Sequence, residues 1–503
     1  MMGFCLSLRK RKDSFKMKLN YKRTILVGFA FFLISAFWQA YDVIVPLILN
    51  NHFGLPHTFS GVVMSLDNIL AVFMLPVFGA ISDKVSTKIG KRTPFILVGT
   101  IIAVVSFVAL TFVDNYQLSL LALTEAPELF AESLLEGADK EALQDAAIKM
   151  AYQLTMKNPI PLIGFLLTLL VVLIAMATFR SPAVALMPDV TIKPLRSKGN
   201  AIINLMGTAG GIITLVLGII FGTSNNLTKS FTGYIIAVCG VMVIGLVVFL
   251  STVKEKAWAS EMEEETKRLG LDEEEAPAEN SGVKVIAEKK DGKMVKHGGL
   301  SKAEFKSLML ILASVALWYI GYNSITSKYS VYATNVLGVN VGITLLVAQA
   351  AAIISYIPVG MIASKLGRRK TILAGVVMLA SAFAIGAFIG KGVDPIVMYP
   401  VFMLAGIGWA TINVNSFPMV VELAKGGEVG KYTGYYYTAS MAAQICAPVL
   451  SGVLYDLFGM RYVFFPFGAI FVVGSFITMF FVKHGDSRPD QQGALESLAG
   501  ADD

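Results

Sequence analysis

Three ionisable side chains, Asp42, Asp67 and Arg180, lie inside long apolar stretches of the sequence. A charged group in the hydrocarbon core of a membrane costs about 3 kcal/mol or more, so each of them is a candidate functional residue. If the two carboxylates share a cavity at similar depth, burial and mutual repulsion favour protonation of at least one of them. Such a site gains and loses a proton reversibly. We therefore predict Asp42, Asp67 and Arg180 as cation-coupling residues.

Simpler interpretations of the charged residues stay open. Asp42 and Asp67, the latter beside Asn68, are compatible with structural polar groups bonded to backbone or to water. Arg180 lies roughly 10 Å from the middle of its stretch by helical rise, where an arginine can extend its guanidinium to the membrane interface. We expect Lys328 to do the same in its own stretch. The histidines are predicted to lie in loops or tails: His52, His57, His297 and His484.

Aromatic and amide side chains in the apolar stretches predict a binding site for a sugar. Aromatic faces contact the C–H surface of a sugar, and amide groups bond its hydroxyls. The predicted substrate-binding residues are Trp38, Tyr41, Asn68, Trp318, Tyr322, Asn323, Gln349 and Asn413. Tryptophan and tyrosine are also common packing and interface residues, so packing is the alternative for each aromatic member.

The apolar stretches that hold these residues have the length of membrane-spanning helices. A spanning helix needs about 20 predominantly apolar residues. Twelve runs meet this requirement, at 24–49, 59–81, 93–112, 159–188, 200–222, 230–252, 306–336, 341–364, 371–390, 395–421, 432–456 and 463–482. With 55% apolar and 15% charged residues in a chain of 503, too little polar surface exists to coat a water-soluble protein. The sequence predicts an all-α integral membrane protein and argues against a soluble enzyme, a disordered scaffold and a secreted disulfide-linked protein.

The distribution of lysine and arginine predicts the orientation of the helices. When both termini are placed on the cytoplasmic side, the cytoplasmic segments hold 34 of these residues and the external loops hold 6. Because basic residues concentrate on the cytoplasmic side of membrane proteins, both termini are predicted to be cytoplasmic. The net charge of +7 therefore reflects topology, and no nucleic-acid partner is expected. The three cysteines, Cys5, Cys239 and Cys446, predict neither a disulfide framework nor a metal site.

Two polar segments interrupt the apolar runs and divide the chain. The acidic, amphipathic segment 113–158 is predicted to be an external helical lid or ornament. The charged segment 253–305 is predicted to be a cytoplasmic linker with six helices on each side. The predicted domains are a basic N-terminus at 1–23, an N-terminal six-helix bundle at 24–252, the linker, a C-terminal six-helix bundle at 306–482 and a cytoplasmic tail at 483–503.

A glycine-rich basic motif after the second predicted helix recurs after the eighth, which indicates two related bundles. Glycines permit close helix approach, and acidic groups pair with cations or helix N-termini, so we interpret the motif as a cytoplasmic latch. Its basic residues alone are also compatible with a topology signal. A weaker repeat aligns Trp38 with Trp318. Asp189 ends the fourth predicted helix, and Glu422 ends the tenth in the same way. The predicted gating residues are Gly79, Asp83, Gly90, Arg92, Asp189, Gly360, Gly367, Arg368 and Glu422.

The motif and its surroundings resemble a known family. Residues 76–96 read PVFGAISDKVSTKIGKRTPFI. This stretch, like the chain as a whole, is similar to the major facilitator superfamily, in the sucrose-transporter-like branch near the glycoside-pentoside-hexuronide:cation symporters. The resemblance implies two pseudo-symmetric six-helix bundles that take up a sugar together with a cation, commonly a proton.

The resemblance has two departures. The branch closes its fourth helix with R-A-L-x-x-D, whereas here Val184 stands in the arginine position before Asp189. Melibiose-type members hold sodium with two carboxylates four residues apart in the second helix. Here Asp67 is followed by Ala71, so a sodium site of that design lacks one carboxylate.

The sequence predicts a secondary active transporter that moves a sugar or glycoside with a cation by alternating access. A proton is the predicted ion, and sodium stays open. Neither a cofactor nor an enzymatic activity is expected, because the chain has no phosphate-binding loop and no HExxH motif. The predicted partners are a small-molecule substrate and the lipid bilayer of a plasma or bacterial inner membrane, with a monomer as the unit. Two alternatives stay open: a proton-driven exporter of apolar compounds, and a transporter-like membrane sensor that translocates nothing.

Overall fold

The computed structural model describes residues 19–133, 140–192, 195–223, 229–269, 289–290, 293–294, 301–389, 394–423 and 429–484. Within these residues, twelve helices are long and apolar enough to cross a membrane, as predicted. They are α1 Tyr21–Leu47, α2 His57–Lys84, α3 Thr93–Leu121, α4 Ile160–Asp189, α5 Arg196–Ile220, α6 Thr232–Thr252, α7 Lys302–Thr326, α8 Val341–Leu366, α9 Arg368–Phe388, α10 Met398–Val421, α11 Val429–Phe458 and α12 Met460–Phe480. Cys5, His297, most of the basic N-terminus, most of the linker and nearly all of the tail lie outside the described residues.

The helices pack as two bundles with the same internal arrangement. In the N-terminal bundle, α1 packs against α5 and α6, α3 against α4 and α6, and α2 against α4. The C-terminal bundle repeats every pair six helices later, with α7 against α11 and α12, α9 against α10 and α12, and α8 against α10. Between the bundles, α2 contacts α11 and α5 contacts α8, which is again a symmetric pair. The predicted pseudo-symmetric twelve-helix fold is confirmed.

α1 and α7 each continue into a wider helical turn. After α1 the chain forms the π-helix Ile48–His52, and after α7 it passes through the short helix Tyr329–Val331 into the π-helix Tyr332–Leu337. The prediction of one unbroken helix over 306–336 is therefore wrong. π-Helical turns are rare in proteins, and those that occur often lie at functional sites. Here they place Asn51 and Asn335 in a reciprocal pair of amide hydrogen bonds, of 2.8 and 3.4 Å, that joins the two bundles.

Lys328, at the break after α7, does not extend to the membrane interface as expected. Its side chain is 0% exposed, and its ammonium donates to the His57 carbonyl and, over 2.7 Å, to Ser60 Oγ. The reason is that oxygen atoms of the other bundle satisfy the charge. The prediction that the histidines lie in loops or tails is wrong for two of them. His52 ends the π-helix of α1 and bonds the buried Asp114 over 2.6 Å, and His57 begins α2.

Both polar segments contain helices. α3 extends to Leu121, beyond its predicted end at 112, and the rest of segment 113–158 contains the helices Ala126–Glu132 and Lys140–Lys157. The linker begins with the helix Glu255–Arg268, which we call the linker helix. Further along, Lys289–Lys290 and Lys293–Met294 pair as two-residue antiparallel strands.

The helix ends define two faces of the molecule. The terminal face holds the start of α1 at Tyr21 and the end of α2 at Lys84. The opposite face holds the end of the π-helix at His52 and the start of α2 at His57. The asparagine pair and the bonds of Lys328 join the bundles near the opposite face.

Candidate functional site

A central cavity lies between the bundles and consists of two adjacent parts that share wall residues. The terminal part, of about 790 Å³, reaches Pro188 near the terminal face, and the opposite part, of about 460 Å³, reaches Ser327 near the opposite face. Pockets of this size hold small molecules. Residues from both bundles border both parts: Gln39, Asn68, Arg180, Val184, Gln349 and Gln444.

One face of α1 and one face of α7 line the cavity from the two bundles. Both sets follow the i, i+3, i+4, i+7 spacing of a single helix face. They are Ser35, Trp38, Gln39 and Asp42 on α1, and Tyr319, Tyr322, Asn323 and Thr326 on α7. Corresponding members are separated by the same 284 positions as Asn51 and Asn335. The structure therefore aligns Trp38 with Tyr322, one helical turn from the predicted alignment with Trp318.

The predicted cation-coupling residues border the same part of the cavity. Asp42 and Asp67 both line the opposite part, and Asn68 Nδ2 donates to Asp67 over 2.9 Å. Arg180 also lines it, with its guanidinium 5.8 Å from the centre of the Trp38 ring and within electrostatic range of Asp67. The guanidinium thus lies over an aromatic ring of the cavity and not at the membrane interface. In this arrangement a cation and Arg180 can compete for a carboxylate.

The cavity contains most of the predicted substrate-binding residues. Those that line it are Trp38, Asn68, Tyr322, Asn323, Gln349 and Asn413. Tyr41 and Trp318 are instead packed among the helices, both 0% exposed. Each lies off the cavity-facing stripe of its helix, and residue type alone does not reveal that rotation.

The sequence prediction does not include the most prominent aromatic group of the cavity. Trp409 of α10 stacks on Tyr322 with ring centres 3.7 Å apart and planes 6° apart. Two amides inside apolar helices, Gln39 and Gln444, are also absent from the prediction. The spacing from Asp42 could have identified Gln39, whereas no local signal separates Trp409 from a packing tryptophan.

The polar atoms of the cavity wall that are buried without a hydrogen-bond partner among the residues described include Trp38 Nε1 and Gln349 Oε1. Buried polar groups in folded proteins nearly always have a partner. One of these atoms is a donor and the other is an acceptor. A hydroxylated molecule or water in the cavity would satisfy both.

The gating residues predicted in the N-terminal bundle form one charged cluster at the terminal face. Arg92, just before α3, pairs with Asp189 at the end of α4 over 2.8 Å and with Asp83 near the end of α2. Burial lowers the pKa of Arg92, but its hydrogen bonds to Asp189 and Asp83 and their charges outweigh this effect and raise it. Gly79 accepts from Arg92 through its carbonyl over 3.4 Å. Gly90 has a φ of +124°, where glycine is favoured over residues with a side chain.

The C-terminal bundle repeats the ion pair. Arg368, the first residue of α9, pairs with Glu422 after α10 over 2.7 Å. The preceding Gly367 has a φ of +90°, and Gly360 lies two turns earlier in α8. Each of these ion pairs lies within one bundle in this structure, so a latch between bundles stays a prediction.

Glu255 of the linker helix completes the cluster at α3 and is absent from the sequence prediction. Its carboxylate, in a residue only 2% exposed, accepts from the backbone N–H groups of Lys91, Arg92 and Thr93 at 2.7, 2.9 and 2.8 Å. The Thr93 hydroxyl donates to it over 2.7 Å. Glu255 therefore caps the N-terminus of α3, where backbone donors have no partner within the helix.

We expect Glu255→Gln to lower the free energy of unfolding by about 1–2 kcal/mol, because an amide accepts fewer hydrogen bonds and lacks the charge that a helix N-terminus favours. Thermal unfolding of the purified protein in detergent measures the change. Glu264→Gln, at an exposed position of the same helix, is the matched control. Equal midpoints of thermal unfolding for the two variants would exclude the capping role of Glu255.

Comparison with protein families agrees with this architecture. The family model described as Major Facilitator Superfamily matches residues 150–424 and 340–499, and the one described as MFS/sugar transport protein matches residues 26–125. Twelve helices long enough to span a membrane surround a central cavity, which is the architecture of a multi-pass membrane protein. The chain belongs to the Major Facilitator Superfamily.

Individual relatives are distant or match only in part. The MFS-type transporter ppzB of Metarhizium rileyi is 32% identical over 114 residues, which is 23% of each chain, so the similarity spans about a quarter of this curated relative. The inward-open xylose transporter XylE from E. coli has a TM-score of 0.60 and 12% identity, over 94% of this chain and 98% of that one. A bacterial homologue of the iron transporter ferroportin has a TM-score of 0.61 and 12% identity, over 92% and 99%. These two likenesses support the fold.

Proposed function

We propose that this protein is a cation-coupled symporter of an uncharged, hydroxylated solute, a sugar or glycoside. The observation that carries the proposal is that Asp42 and Asp67 border the same cavity as a wall of aromatic and amide groups. The carboxylates suit a cation, for which we propose a proton, and the wall suits a sugar. The match of residues 26–125 to the family model for MFS/sugar transport proteins supports the same substrate class.

The cavity wall favours a solute that forms many hydrogen bonds. Trp409 and Tyr322 offer a flat aromatic surface to the C–H face of a sugar ring. The amides around it can bond hydroxyls: Gln39, Asn68, Gln349, Asn413 and Gln444. An apolar compound would leave polar atoms of this wall such as Gln349 Oε1 buried without a hydrogen-bond partner, which is unfavourable. The wall therefore favours sugar transport over export of apolar compounds.

Coupling follows from the charge of the cavity. An unpaired carboxylate is costly to enclose in a low-dielectric interior, whereas a protonated or cation-bound carboxylate is less so. Asp42 shares one face of α1 with Trp38 and Gln39, so cation and solute contact the same helix face. Closure of the cavity around the solute is therefore more favourable when a cation is bound, and this dependence couples their movements.

The geometry supports alternating access with the terminal face open. The cavity extends to Pro188, close to the end of α4, while the bundles meet near the opposite face. By the lysine and arginine distribution the terminal face is cytoplasmic, so this state is inward-facing. The clusters at Arg92 and Arg368 act as gating elements on this face. One chain encloses the whole cavity, which supports a monomer as the transporting unit.

Transport by purified protein in lipid vesicles tests the proposal. A panel of radiolabelled sugars and glycosides is applied with an imposed pH gradient, and then with an imposed sodium gradient. We expect accumulation of at least one of them under the pH gradient and its loss when a protonophore dissipates that gradient. Accumulation driven by sodium alone would identify sodium as the coupling ion in place of the proton. Solute efflux driven by inward proton flow would favour an exporter. No flux in either direction would favour the membrane sensor.

Removal of the aromatic surface should weaken solute binding without uncoupling transport. We expect Trp409→Ala to raise KM for the solute about tenfold or more, because stacking and buried contact area are lost together. Trp409→Phe keeps a ring beside Tyr322, so its KM should lie between those of the unmodified protein and Trp409→Ala. The measurement is initial uptake rate against solute concentration. An unchanged KM in Trp409→Ala would remove Trp409 from the binding site.

A further inference from the structure

The N-terminus of α2 is capped by the other bundle. Pro56 precedes the helix and makes no side-chain cap bond. Instead, Asp456 of α11 accepts from the backbone N–H groups of His57 and Thr58 at 2.7 and 2.8 Å, and from the Thr58 hydroxyl at 2.5 Å. A carboxylate at this position satisfies unpaired donors and interacts favourably with the helix dipole. The start of a helix in one bundle thus depends on a residue of the other bundle.

Lys328 binds the same turn from another side. Its buried ammonium, also from the C-terminal bundle, donates to the His57 carbonyl and to Ser60 Oγ. The first turn of α2 is therefore held between an anion and a cation of the other bundle. Its backbone is also in close contact with α11, because an added Cβ at Gly452 would lie 2.5 Å from the His57 carbonyl oxygen.

These contacts cannot persist when the opposite face opens. In the alternating access proposed above, the bundles separate at this face, and α2 moves away from α11. The cap from Asp456 and both bonds of Lys328 then break together, and the buried ammonium becomes exposed to water. The contacts consequently stabilise only the state in which the opposite face is closed, and a contact made in one state alone shifts the population toward it.

We propose that Asp456 and Lys328 are the gating residues of the opposite face, which hold the unloaded transporter closed there. They stabilise the closed state by capping and clamping residues 57–60 of α2. The inference rests on the proposed alternating access but not on the identity of solute or cation. It assigns a role in the transport cycle to two charged residues that lie outside the solute cavity and the clusters of the terminal face.

Accessibility of the cavity from each side tests the gate. In a chain with Cys5→Ala, Cys239→Ala and Cys446→Ala, the substitution Asn323→Cys places one thiol in the opposite part of the cavity. A membrane-impermeant maleimide is applied to right-side-out and to inside-out vesicles, without solute. We expect Asp456→Asn to raise the labelling rate from the opposite face about tenfold, because asparagine offers one acceptor atom in place of two and lacks the charge that a helix N-terminus favours.

Asp394→Asn is the matched control. Asp394 is an exposed acid in the same bundle and at the same face, and it accepts from the backbone N–H of Ile396 within its own loop. We expect its labelling rate to equal that of the unmodified chain. Gly452→Ala is the positive control, because its side chain forces α2 and α11 apart whichever polar groups surround them.

The controls separate failure of the gate from failure of the transport mechanism. If Gly452→Ala raises the labelling rate and Asp456→Asn does not, the gate proposal is overturned and alternating access stands. If none of the variants raises it, alternating access is overturned with it. Should Asp456→Asn not fold, Thr58→Val removes one of the three bonds to Asp456 and should raise the rate about twofold to threefold.

A double variant tests whether the two residues act on one turn. We expect Lys328→Met alone to raise labelling from the opposite face, and the pair with Asp456→Asn to raise it by less than the product of the single effects. Such non-additivity is typical of residues that share a partner. Independent, multiplicative effects would overturn the view that both residues act through residues 57–60.

Discussion

Replacement of Asp42 by asparagine abolishes accumulation of the solute against its gradient, whereas exchange of labelled for unlabelled solute continues. The reason is that asparagine keeps the size and polarity of the site but is always neutral. The cavity then closes and reopens without a cation, so the proton gradient no longer drives the solute. The measurement is solute accumulation in vesicles under an imposed pH gradient, followed by counterflow exchange in the same preparation.

Two further variants show whether the loss of accumulation is specific to carboxylates of the cavity. Asp67→Asn, in the same part of the cavity, should also reduce accumulation, because it removes the second carboxylate of the pair. Asp394→Asn, at an exposed position outside the cavity, should leave it unchanged. Normal accumulation in Asp42→Asn would remove Asp42 from the coupling mechanism.

Replacement of Gly452 by alanine should reduce net transport about fivefold or more by preventing closure of the opposite face. The added Cβ would lie 2.5 Å from the His57 carbonyl oxygen and 2.8 Å from its carbonyl carbon. Because these are backbone atoms, the overlap is relieved only when α2 and α11 move apart. Overpacking of this kind costs about 1–3 kcal/mol, which corresponds to a shift in population of roughly fivefold to 150-fold.

The control for Gly452 lies in the same helix. Gly434 has no atom within 4 Å of an added Cβ, so Gly434→Ala should transport normally. Gly61→Ala provides a second test from α2, since its Cβ would lie 2.1 Å from the Pro448 carbonyl oxygen. Uptake assays with all three variants test whether transport needs the close approach of α2 and α11. Equal rates in Gly452→Ala and Gly434→Ala would show that the close approach of α2 and α11 is dispensable.

Hydropathy and repetition were sufficient to predict the architecture. A spanning helix needs a long apolar run whatever its partners are, so all twelve helices were found from composition along the chain. Asp42 and Asp67 stood out for the same reason, as carboxylates in apolar runs. The ion pairs of Arg92 and Arg368 follow the sequence repeat, because equivalent residues occupy equivalent places in related bundles.

The features that the sequence did not predict depend on partners far away in the chain. Lys328 was expected to reach the membrane interface, but Ser60 and the His57 carbonyl, in the other bundle, provide its partners. Glu255 reads as one charge of a polar linker until α3 lies beside it. Trp409 gains its place in the cavity only through its stack on Tyr322. None of these contacts has a local signal in the sequence.

Rotation of helices explains the remaining differences. Tyr41 precedes Asp42 by one residue, yet it points into the packed interior while Asp42 lines the cavity. Successive residues on a helix are about 100° apart, so one position is enough to change the environment. The stripe of polar residues that contains Gln39 was the available sign of which face of α1 borders the cavity.

The most direct test of the central claim is proton movement caused by the solute itself. Once the solute panel has identified a transported compound, it is added to weakly buffered, de-energised vesicles, and the external pH is recorded. We predict that the external solution becomes more alkaline as solute and protons enter together, and that Asp42→Asn takes up solute without this change. Solute uptake by the unmodified protein with neither proton nor sodium movement would contradict the account.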